Sequence, residues 1–437
     1  MSSILTNNGA MVALQTMKAI NKNMGQVQAE ISTGKAVGNA KDNAAVWAIS
    51  KTMESDVKGF KGISDSLSLG SSTIAVARSA SEQITNLLTE IKGKIVASQE
   101  ANVDRTKIQA DVSALRDQIG SIVGAAQFNG LNLLSNNKTT VAYTAADNVD
   151  GSGKIDVLSS LDRSASGVAS SSISVGRQDL STTTAAVGTL TMDASAMTAA
   201  GTATANGAGT ATYTINGDTT TADRTKAVMA GDSYSFDMAT VFGGTFAAAA
   251  TDKQTAIYTA KDGDTTADIA KGLADIMNFR LAEQGMSESF KVTVGGPDKN
   301  VVTVTNNTAA DLPAAAAASD VTIGGGGKVG GGLALLKEID VSTEAGAKAA
   351  LGAIEGLTQT AIQAAADFGT AQKRIDVQQS FVSNLVDSLR SGIGSMVDAN
   401  MEEASARLQA LQVQQQLATQ SLSIANQAPQ SILSLFR

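Results

Sequence analysis

The sequence predicts an α+β fold in which both termini form a long α-helical coiled coil or bundle and the centre forms a β-rich variable insert. Three observations predict it. Near both ends, apolar residues recur at alternating steps of three and four, which is the spacing of a helical seam. Only three prolines occur in 437 residues, where average usage would give roughly twenty. The middle alternates apolar and polar residues in short runs between glycine-containing turns, as half-buried strands do.

The first helix is predicted within residues 1–40. Its apolar seam contains Ala10, Ala13, Met17, Ile20, Met24, Val27 and Ile31. The turn-like residues Ser32, Thr33, Gly34 and Lys35 follow directly. We therefore expect the helix to end at this patch.

Two further helices are predicted within residues 41–135. The second seam contains Ile74, Ala77, Ser81, Ile84, Leu88, Ile91 and Ile95. After a polar break near residues 99–106, the third seam contains Ile108, Val112, Leu115, Ile119 and Ile122. We expect these seams to build a helical core that includes Ile84, Leu88, Ile91, Ile108 and Leu115.

The same pattern returns within residues 336–392. Ser342 and Thr343 offer an N-cap, and Glu344 places an acid in the first turn, where the helix dipole favours negative charge. The seam that follows contains Leu357, Ala361, Ala364, Phe368, Ala371, Ile375, Gln378, Val382, Leu385 and Leu389. Phe368, Ile375 and Leu385 are expected to complete the helical core.

A change of phase separates this helix from the last segment, residues 393–437. Leu389, Ile393, Val397 and Met401 step by four three times before the alternation resumes. Such an inserted step is a stutter, which unwinds a supercoil locally. The sequence therefore predicts a joint between two helical layers near Ile393.

The last segment has few charges. After Glu403 only Arg407 and Arg437 are ionised, whereas a solvated helix normally has a charged outer face. We expect most sides of this helix to meet protein. The alternative is a polar, low-complexity tail that becomes ordered only with partners.

The middle, residues 136–335, is predicted to be an α+β module. Alternating runs predict strands at 211–215, 290–294 and 301–305. One helix is expected after Asp264, which can cap it. Its apolar face would contain Ile269, Leu273, Ile276, Met277 and Leu281.

Composition excludes much chemistry. The chain has no histidine and no cysteine, so the commonest general base and the thiol nucleophile are both missing. The formal net charge of −8 argues against nucleic-acid binding, which needs a basic face. Residues 1–20 lack the pattern of a cleaved signal peptide, and no apolar run is long enough to predict membrane insertion. The sequence predicts no cofactor, no metal and no enzymatic activity.

Two local motifs have simpler explanations than ligand binding. Residues 324–329 resemble a phosphate loop, but Thr322 stands where that motif needs glycine, so we expect a flexible hinge. Asp147 with Asp150, and the run 262–264, could contact a cation, yet their spacing fits no calcium loop. Turn formation explains them better.

Several separated motifs resemble those of bacterial flagellins. Near the N-terminus these are residues 31–35, 39–45 and 48–49 (ISTGK, NAKDNAA and AI), followed by 104–109 and 128–134 (DRTKIQ and FNGLNLL). Residues 339–343 (IDVST) match the return from the variable insert, and 417–430 with 433–435 (LATQSLSIANQAPQ and LSL) match the C-terminus. The resemblance covers roughly the first 135 and the last 100 residues.

The resemblance implies a filament subunit that assembles with many copies of itself into the extracellular filament of a bacterial flagellum. Residues 1–40 and 393–437 would form the inner layer, residues 41–135 and 336–392 the outer layer, and the insert would lie outside. It also implies export through the flagellar type III apparatus, with an export chaperone holding the C-terminal helix. Flagellar cap and hook–filament junction proteins are the other implied partners.

On this interpretation, apolar residues of the two terminal helices mediate packing between subunits. The predicted set is Met17, Ile20, Met24, Val27, Ile31, Leu408, Leu411, Leu417, Leu422 and Ile424. Two alternatives remain: a hook–filament junction protein, which would have similar helical ends, and a secreted adhesin that uses the insert. An enzyme is a distant third.

Overall fold

The computed structural model describes residues 7–135, 154–164, 167–190, 192–201, 210–218, 228–242, 246, 253–261, 264–309 and 320–433. The chain divides into two compact units. The terminal unit comprises Met1–Ser66, Ser160–Ser171 and Gln378–Arg437, and the central unit comprises Leu67–Ser159 and Ser172–Val377. Asp147 and Asp150 lie outside the described residues.

The terminal unit contains an antiparallel pair of helices, α1 (Asn8–Thr33) and α7 (Met401–Leu433). The Asn7 side chain caps α1 by accepting from the Ala10 N–H at 3.1 Å. Gly34 ends the helix in a left-handed conformation, with φ of 68°, and its N–H donates to the Glu30 carbonyl, as in a glycine C-cap. The predicted turn at residues 32–35 is therefore confirmed.

A short connection separates α7 from α6, which spans Glu344–Val397. The Ala36 N–H donates to the Val397 carbonyl at 2.8 Å, and the Ala399 N–H donates to the Gly34 carbonyl at 2.9 Å. These bonds join the end of α1 to the break between the two C-terminal helices. The phase change at Ile393 lies inside α6, so the helix continues about one turn beyond the predicted joint.

Three helices form the helical part of the central unit: α2 (Ala44–Ala97) from residue 67 onward, α3 (Arg105–Ala125), and α6 up to residue 377. Arg78 Nε donates to Gln372 Oε1 at 2.8 Å, and Lys94 pairs with Asp111 at 2.6 Å. The fully buried residues that these helices share include Ile74, Ile84, Leu88, Ile91, Ile95, Ile354, Ala361, Phe368 and Ile375.

The first strands flank the insert. Strands β1 (Gln127–Phe128) and β2 (Leu131–Asn132) form a short antiparallel hairpin. Strands β3 (Lys154–Ser164) and β4 (Gly167–Gly176) pair with each other.

The insert proper has two antiparallel sheets. Strands β5 (Met197–Ala200), β6 (Thr210–Ile215), β9 (Phe290–Gly295) and β10 (Val301–Asn306) form one sheet in the order β5-β6-β10-β9. Strands β7 (Ser233–Asp237), β8 (Thr255–Thr259) and β11 (Val321–Gly324) form the other in the order β11-β7-β8. The predicted strands at 211–215, 290–294 and 301–305 are confirmed.

Two helices accompany these sheets, the short α4 (Met238–Phe242) and the longer α5 (Thr266–Glu283). The predicted face of α5 is confirmed, since Ile269, Leu273, Met277 and Leu281 are buried in the core of the insert. The predicted cap is wrong by one residue. Thr265 caps α5 in a capping box with Asp268, while Asp264 accepts from the Tyr258 hydroxyl at 2.7 Å.

The expected glycine hinge is also wrong. Gly324 ends β11, and Gly325 exchanges backbone hydrogen bonds of 2.8 and 3.0 Å with Leu190. A Cβ on Gly324 would lie 2.1 Å from the Gly188 carbonyl oxygen. Gly324 is therefore required because two backbones approach closely, and Gly326 because its φ is 72°. Backbone pairing with Leu190 holds this run in place, so it is not a flexible hinge.

Candidate functional site

The seam between α1 and α7 holds most of the residues predicted for subunit packing. Ile20, Val27, Ala404, Leu411 and Ala418 are buried in it. Met17, Met24, Ile31 and Leu408 pack against them and are partly buried. Seven of the ten predicted residues thus contact the opposite helix of the same chain, as their spacing requires for an antiparallel pair.

Three predicted residues lie differently. Leu417 is 56% exposed and Ile424 is 68% exposed, while Leu422 is half-buried. Five other large apolar side chains on these helices are exposed and were not among the predicted packing residues: Met11, Val12, Leu14, Met401 and Val413. The lack of charge along the last helix is the signal that could have identified Val413. Met11, Val12 and Leu14 lie on α1, to which that signal does not apply.

Neutral amides make the polar contacts that bridge α1 and α7. Gln415 Nε2 donates to Asn21 Oδ1 at 2.9 Å, and Asn7 Nδ2 donates to the Ala425 carbonyl at 2.7 Å. A polar contact along an otherwise apolar seam favours one register, because a shifted pair would leave the amides without partners. These two contacts therefore align the helices along their length.

The residues predicted for the outer-layer core also divide by burial. Ile84, Leu88, Ile91, Phe368 and Ile375 are fully buried. Ile108, Leu115 and Leu385 are half-buried. Leu385 belongs to the terminal unit, and the other seven residues belong to the central unit.

Polar groups in the insert make structural contacts with one another. A cavity of about 800 Å³ is lined partly by Lys253, Arg280 and Glu338. Arg280 pairs with Glu338 at 2.9 Å and with Glu283 at 3.5 Å, and Lys253 also contacts Glu283. The charges of Lys253 and Arg280 are therefore offset by Glu283 and Glu338.

Two tyrosines are held in their neutral form. Burial, and then the nearby Asp320 carboxylate, raise the pKa of Tyr213, whose hydroxyl donates to Asp320 at 2.9 Å. Burial and Asp264 raise the pKa of Tyr258 in the same way. Both hydroxyls act as hydrogen-bond donors within the insert.

The described residues contain no group of three or more histidine, cysteine, aspartate or glutamate side chains placed to hold a metal ion. Among the helices within the described ranges, none is long and apolar enough to cross a membrane. Helices α1 and α7 carry seven exposed large apolar side chains.

Paired terminal helices with an exposed apolar surface, joined to a β-rich insert, define the class of helical assembly proteins. Residues 4–139 match the bacterial flagellin N-terminal helical region, and residues 351–436 match the bacterial flagellin C-terminal helical region. Flagellin B of Rhizobium meliloti is 36% identical and Flagellin A of the same organism is 35% identical, each over 100% of both chains. A FliC structure from Burkholderia pseudomallei, 16% identical, covers 70% of this chain and 99% of that chain with a TM-score of 0.29.

The chain belongs to the bacterial flagellin family. It is a structural subunit that polymerises into the extracellular filament of the bacterial flagellum, the organelle of swimming motility. The resemblance carried by the terminal motifs is confirmed.

Proposed function

We propose that the outer surface of the α1–α7 pair is the surface through which subunits pack in the filament. The observation that carries this proposal is the exposure of seven large apolar side chains on two helices: Met11, Val12, Leu14, Met401, Val413, Leu417 and Ile424. Single exposed apolar residues are ordinary, whereas a concentration of them on one element marks an interaction surface.

The ten predicted packing residues act in two ways in this proposal. Leu417, Leu422 and Ile424 contact neighbouring subunits directly. Those in the intrachain seam, such as Ile20, Val27 and Leu411, hold α1 and α7 in register so that the outer residues occupy defined positions. The second role is indirect, because a buried side chain shapes a surface without touching the partner.

The sparse charge of α7 supports the same surface. Within Met401–Leu433 the ionisable side chains are Glu402, Glu403 and Arg407, all in the first two turns. Arg407 pairs with Glu403 at 3.1 Å. The rest of the helix has no charge to desolvate when it is covered by other subunits.

The layered arrangement is part of the proposal. Residues 1–40 and 393–437 form the inner layer, 41–135 and 336–392 the outer layer, and 136–335 the exposed variable region. The break at 398–400 beside Gly34 supports a boundary near these positions, since both terminal helices begin or end there. Ile84, Leu88, Phe368 and Ile375 are then core residues of the outer layer.

The proposal extends to partners and to the absence of catalysis. Before assembly, the apolar surface of α7 needs a cover, which is the role proposed for an export chaperone. Cap and hook–filament junction proteins would meet the same helical ends. The ion pairs and neutral tyrosines of the insert support a structural role for its polar groups, and we propose that the chain has no enzymatic activity.

The test compares exposed apolar residues with an exposed polar neighbour. Leu417→Gln and Ile424→Gln remove apolar surface outside the seam, and Gln416→Ala is the matched control. Seeded polymerisation followed by light scattering and electron microscopy should show slower growth or no filaments for the first two variants. The control should polymerise like the natural chain.

Each variant is first checked by circular dichroism, which should show unchanged helix content, because these side chains lie outside the seam. Normal filament growth by both apolar variants would refute the proposed surface.

A further inference from the structure

We infer that the Asn129–Gly130 turn is a site of spontaneous deamidation in the native protein, and that the Asn216–Gly217 turn is protected from the same reaction. Both pairs have the same reactive sequence. The structure places them in different hydrogen-bonding environments, and this difference carries the inference. It is independent of the packing surface proposed above.

The reaction needs no co-reactant except water and base. Base removes the proton of the glycine N–H, and the nitrogen attacks Cγ of the preceding asparagine. The new N–Cγ bond closes a succinimide ring, and the Cγ–Nδ2 bond breaks as ammonia leaves with a proton. Water then opens the ring at either carbonyl, which gives aspartate or isoaspartate without oxidation or reduction.

Asn129 and Gly130 form the two-residue loop of the β1–β2 hairpin, in which Phe128 pairs with Leu131. Both loop residues are exposed, and both have positive φ, 50° at Asn129 and 79° at Gly130. A Cβ on Gly130 would meet nothing within 4 Å, so the space beside the Gly130 Cα is open. Neither the Asn129 carboxamide nor the Gly130 N–H has a hydrogen-bond partner among the described residues.

Local opening of this turn requires little free energy. Each strand of the hairpin has two residues, and a two-stranded hairpin of this size contributes little stability of its own. The fixed contacts lie beyond the loop, where Asn132 Nδ2 donates to the Val123 carbonyl at 2.6 Å. The loop can therefore reach the reactive geometry while the hairpin base stays in place.

Hydrogen bonds restrain both the side chain of Asn216 and the backbone N–H of Gly217. Asn216 Nδ2 donates to the Ser195 carbonyl at 3.0 Å and to Thr198 Oγ1 at 3.4 Å. The Gly217 N–H donates to the Ala196 carbonyl at 3.1 Å, so the nucleophilic nitrogen is already engaged. Gly217 is also buried at the end of β6, and the reaction would require local opening of a four-stranded sheet.

Two other Asn–Gly pairs occur in the sequence. Asn8–Gly9 lies in the first turn of α1, where reaction requires the helix end to fray. The pair at 206–207 lies outside the described residues.

The product would change the hairpin. Deamidation adds a negative charge, and isoaspartate adds a methylene to the backbone of a two-residue loop. The longer loop cannot keep the pairing of Phe128 with Leu131. In an extracellular filament, altered subunits are not replaced by synthesis in place, so the modified fraction should increase with age.

The test follows both sites in the full-length protein. Native protein is incubated at neutral and at alkaline pH, digested at acidic pH, and analysed by mass spectrometry for conversion of each asparagine. We expect Asn129 to convert at least about tenfold faster than Asn216, which corresponds to a difference of about 1.4 kcal/mol in local opening free energy. The rate at Asn129 should rise with pH because deprotonation of the amide precedes attack.

Two controls separate the effect of the folded structure on the deamidation rate from the effect of the local sequence. In denaturant, the rates at the two sites should converge, since both asparagines precede glycine. Asn129→Gly, which tolerates positive φ, should remove isoaspartate from that peptide without changing the circular dichroism spectrum. Equal native rates, or faster conversion at Asn216, would overturn the inference.

Discussion

At the scale of single residues, Asn278 shows how a side chain can take the place of a strand. Its Nδ2 donates to the Val292 carbonyl at 2.9 Å, and the Val292 N–H donates to Asn278 Oδ1 at 3.2 Å. Val292 lies on β9, an edge strand of the four-stranded sheet, and is itself buried. The amide therefore satisfies two backbone groups that water cannot reach and closes the edge against further pairing.

We expect Asn278→Ala to lower the free energy of unfolding of the insert by about 1–3 kcal/mol, the cost of leaving buried backbone groups without partners. Asn307→Ala, at an exposed position on the neighbouring segment, is the matched control and should change little. The measurement is urea unfolding followed by near-ultraviolet circular dichroism of the tyrosines. Equal midpoints for the two variants would show that the Asn278 contacts contribute no stability.

At the scale of secondary-structure elements, the start of α5 depends on a charge. Asp268 accepts from the Thr265 N–H at 2.8 Å and from Thr265 Oγ1 at 2.7 Å. The hydrogen bonds from the Thr265 side chain and backbone lower the pKa of Asp268. The group is exposed, so its contribution is reduced by solvent screening.

A lowered folded-state pKa means that the stabilisation is fully present above the ordinary aspartate pKa. It is lost as the pH falls through that value to the folded-state pKa. We therefore expect Asp268→Asn to reduce the stability of α5 at neutral pH, by less than about 1 kcal/mol. Near pH 3, about a unit below the ordinary value, the difference from the natural chain should shrink.

The control for this prediction is Asp275→Asn, which removes a carboxylate from the middle of the same helix. It leaves the capping box intact and should change the unfolding midpoint little. Unfolding curves at the two pH values provide the measurement. The assigned role of the charge would be contradicted if the unfolding midpoints of Asp268→Asn and the natural chain differed by the same amount at both pH values.

The elements also show what the sequence can and cannot predict. Seam spacing identified the long helices, because burial along one side of a helix leaves a repeating pattern. It could not place the cap of α5 at Thr265, since Asp264 is an equally good capping residue. Only the structure shows that the Asp264 carboxylate is engaged elsewhere, by the Tyr258 hydroxyl and the Lys261 N–H. The glycines near 324 were misinterpreted because close approach to Gly188 is a contact distant in sequence.

The proposed packing surface also depends on contacts between residues that are distant in sequence. Heptad spacing selects residues that face one direction, and Leu417 and Ile424, although predicted to mediate subunit packing, do not follow that spacing. Their exposure, and that of Val12 and Val413, depends on where the opposite helix ends and how it lies. The surface proposed to pack against other subunits does not follow the seam spacing, although the low charge of α7 is consistent with it.

At the scale of the whole molecule, the two units have separate spectroscopic reporters. Trp47, the single tryptophan, belongs to the terminal unit, and Tyr213, Tyr234 and Tyr258 belong to the central unit. Tyr213 packs edge-on against Phe236 with ring centroids 4.9 Å apart, an asymmetric environment that gives near-ultraviolet dichroism. Changes in either unit can therefore be followed separately.

Truncation after Glu403 removes the part of α7 that contributes Leu411 and Ala418 to the seam with α1. Ile20 and Val27 then lose the side chains that bury them, so α1 should lose order. We expect this truncated chain to form no normal filaments. Its tyrosine dichroism should remain close to that of the full chain, because the core of the insert lies entirely within the central unit.

Electron microscopy after heat dissociation and cooling measures assembly, and near-ultraviolet dichroism measures the insert. A chain carrying Gln412→Ala, Gln414→Ala and Gln416→Ala, all at exposed positions of α7, is the control and should keep the seam and the apolar outer residues. Normal filaments from the truncated chain would mean that assembly does not need the helix pair. Loss of the tyrosine signal would mean instead that the insert depends on α7, in which case failure to assemble would no longer identify the terminal helices as the packing surface.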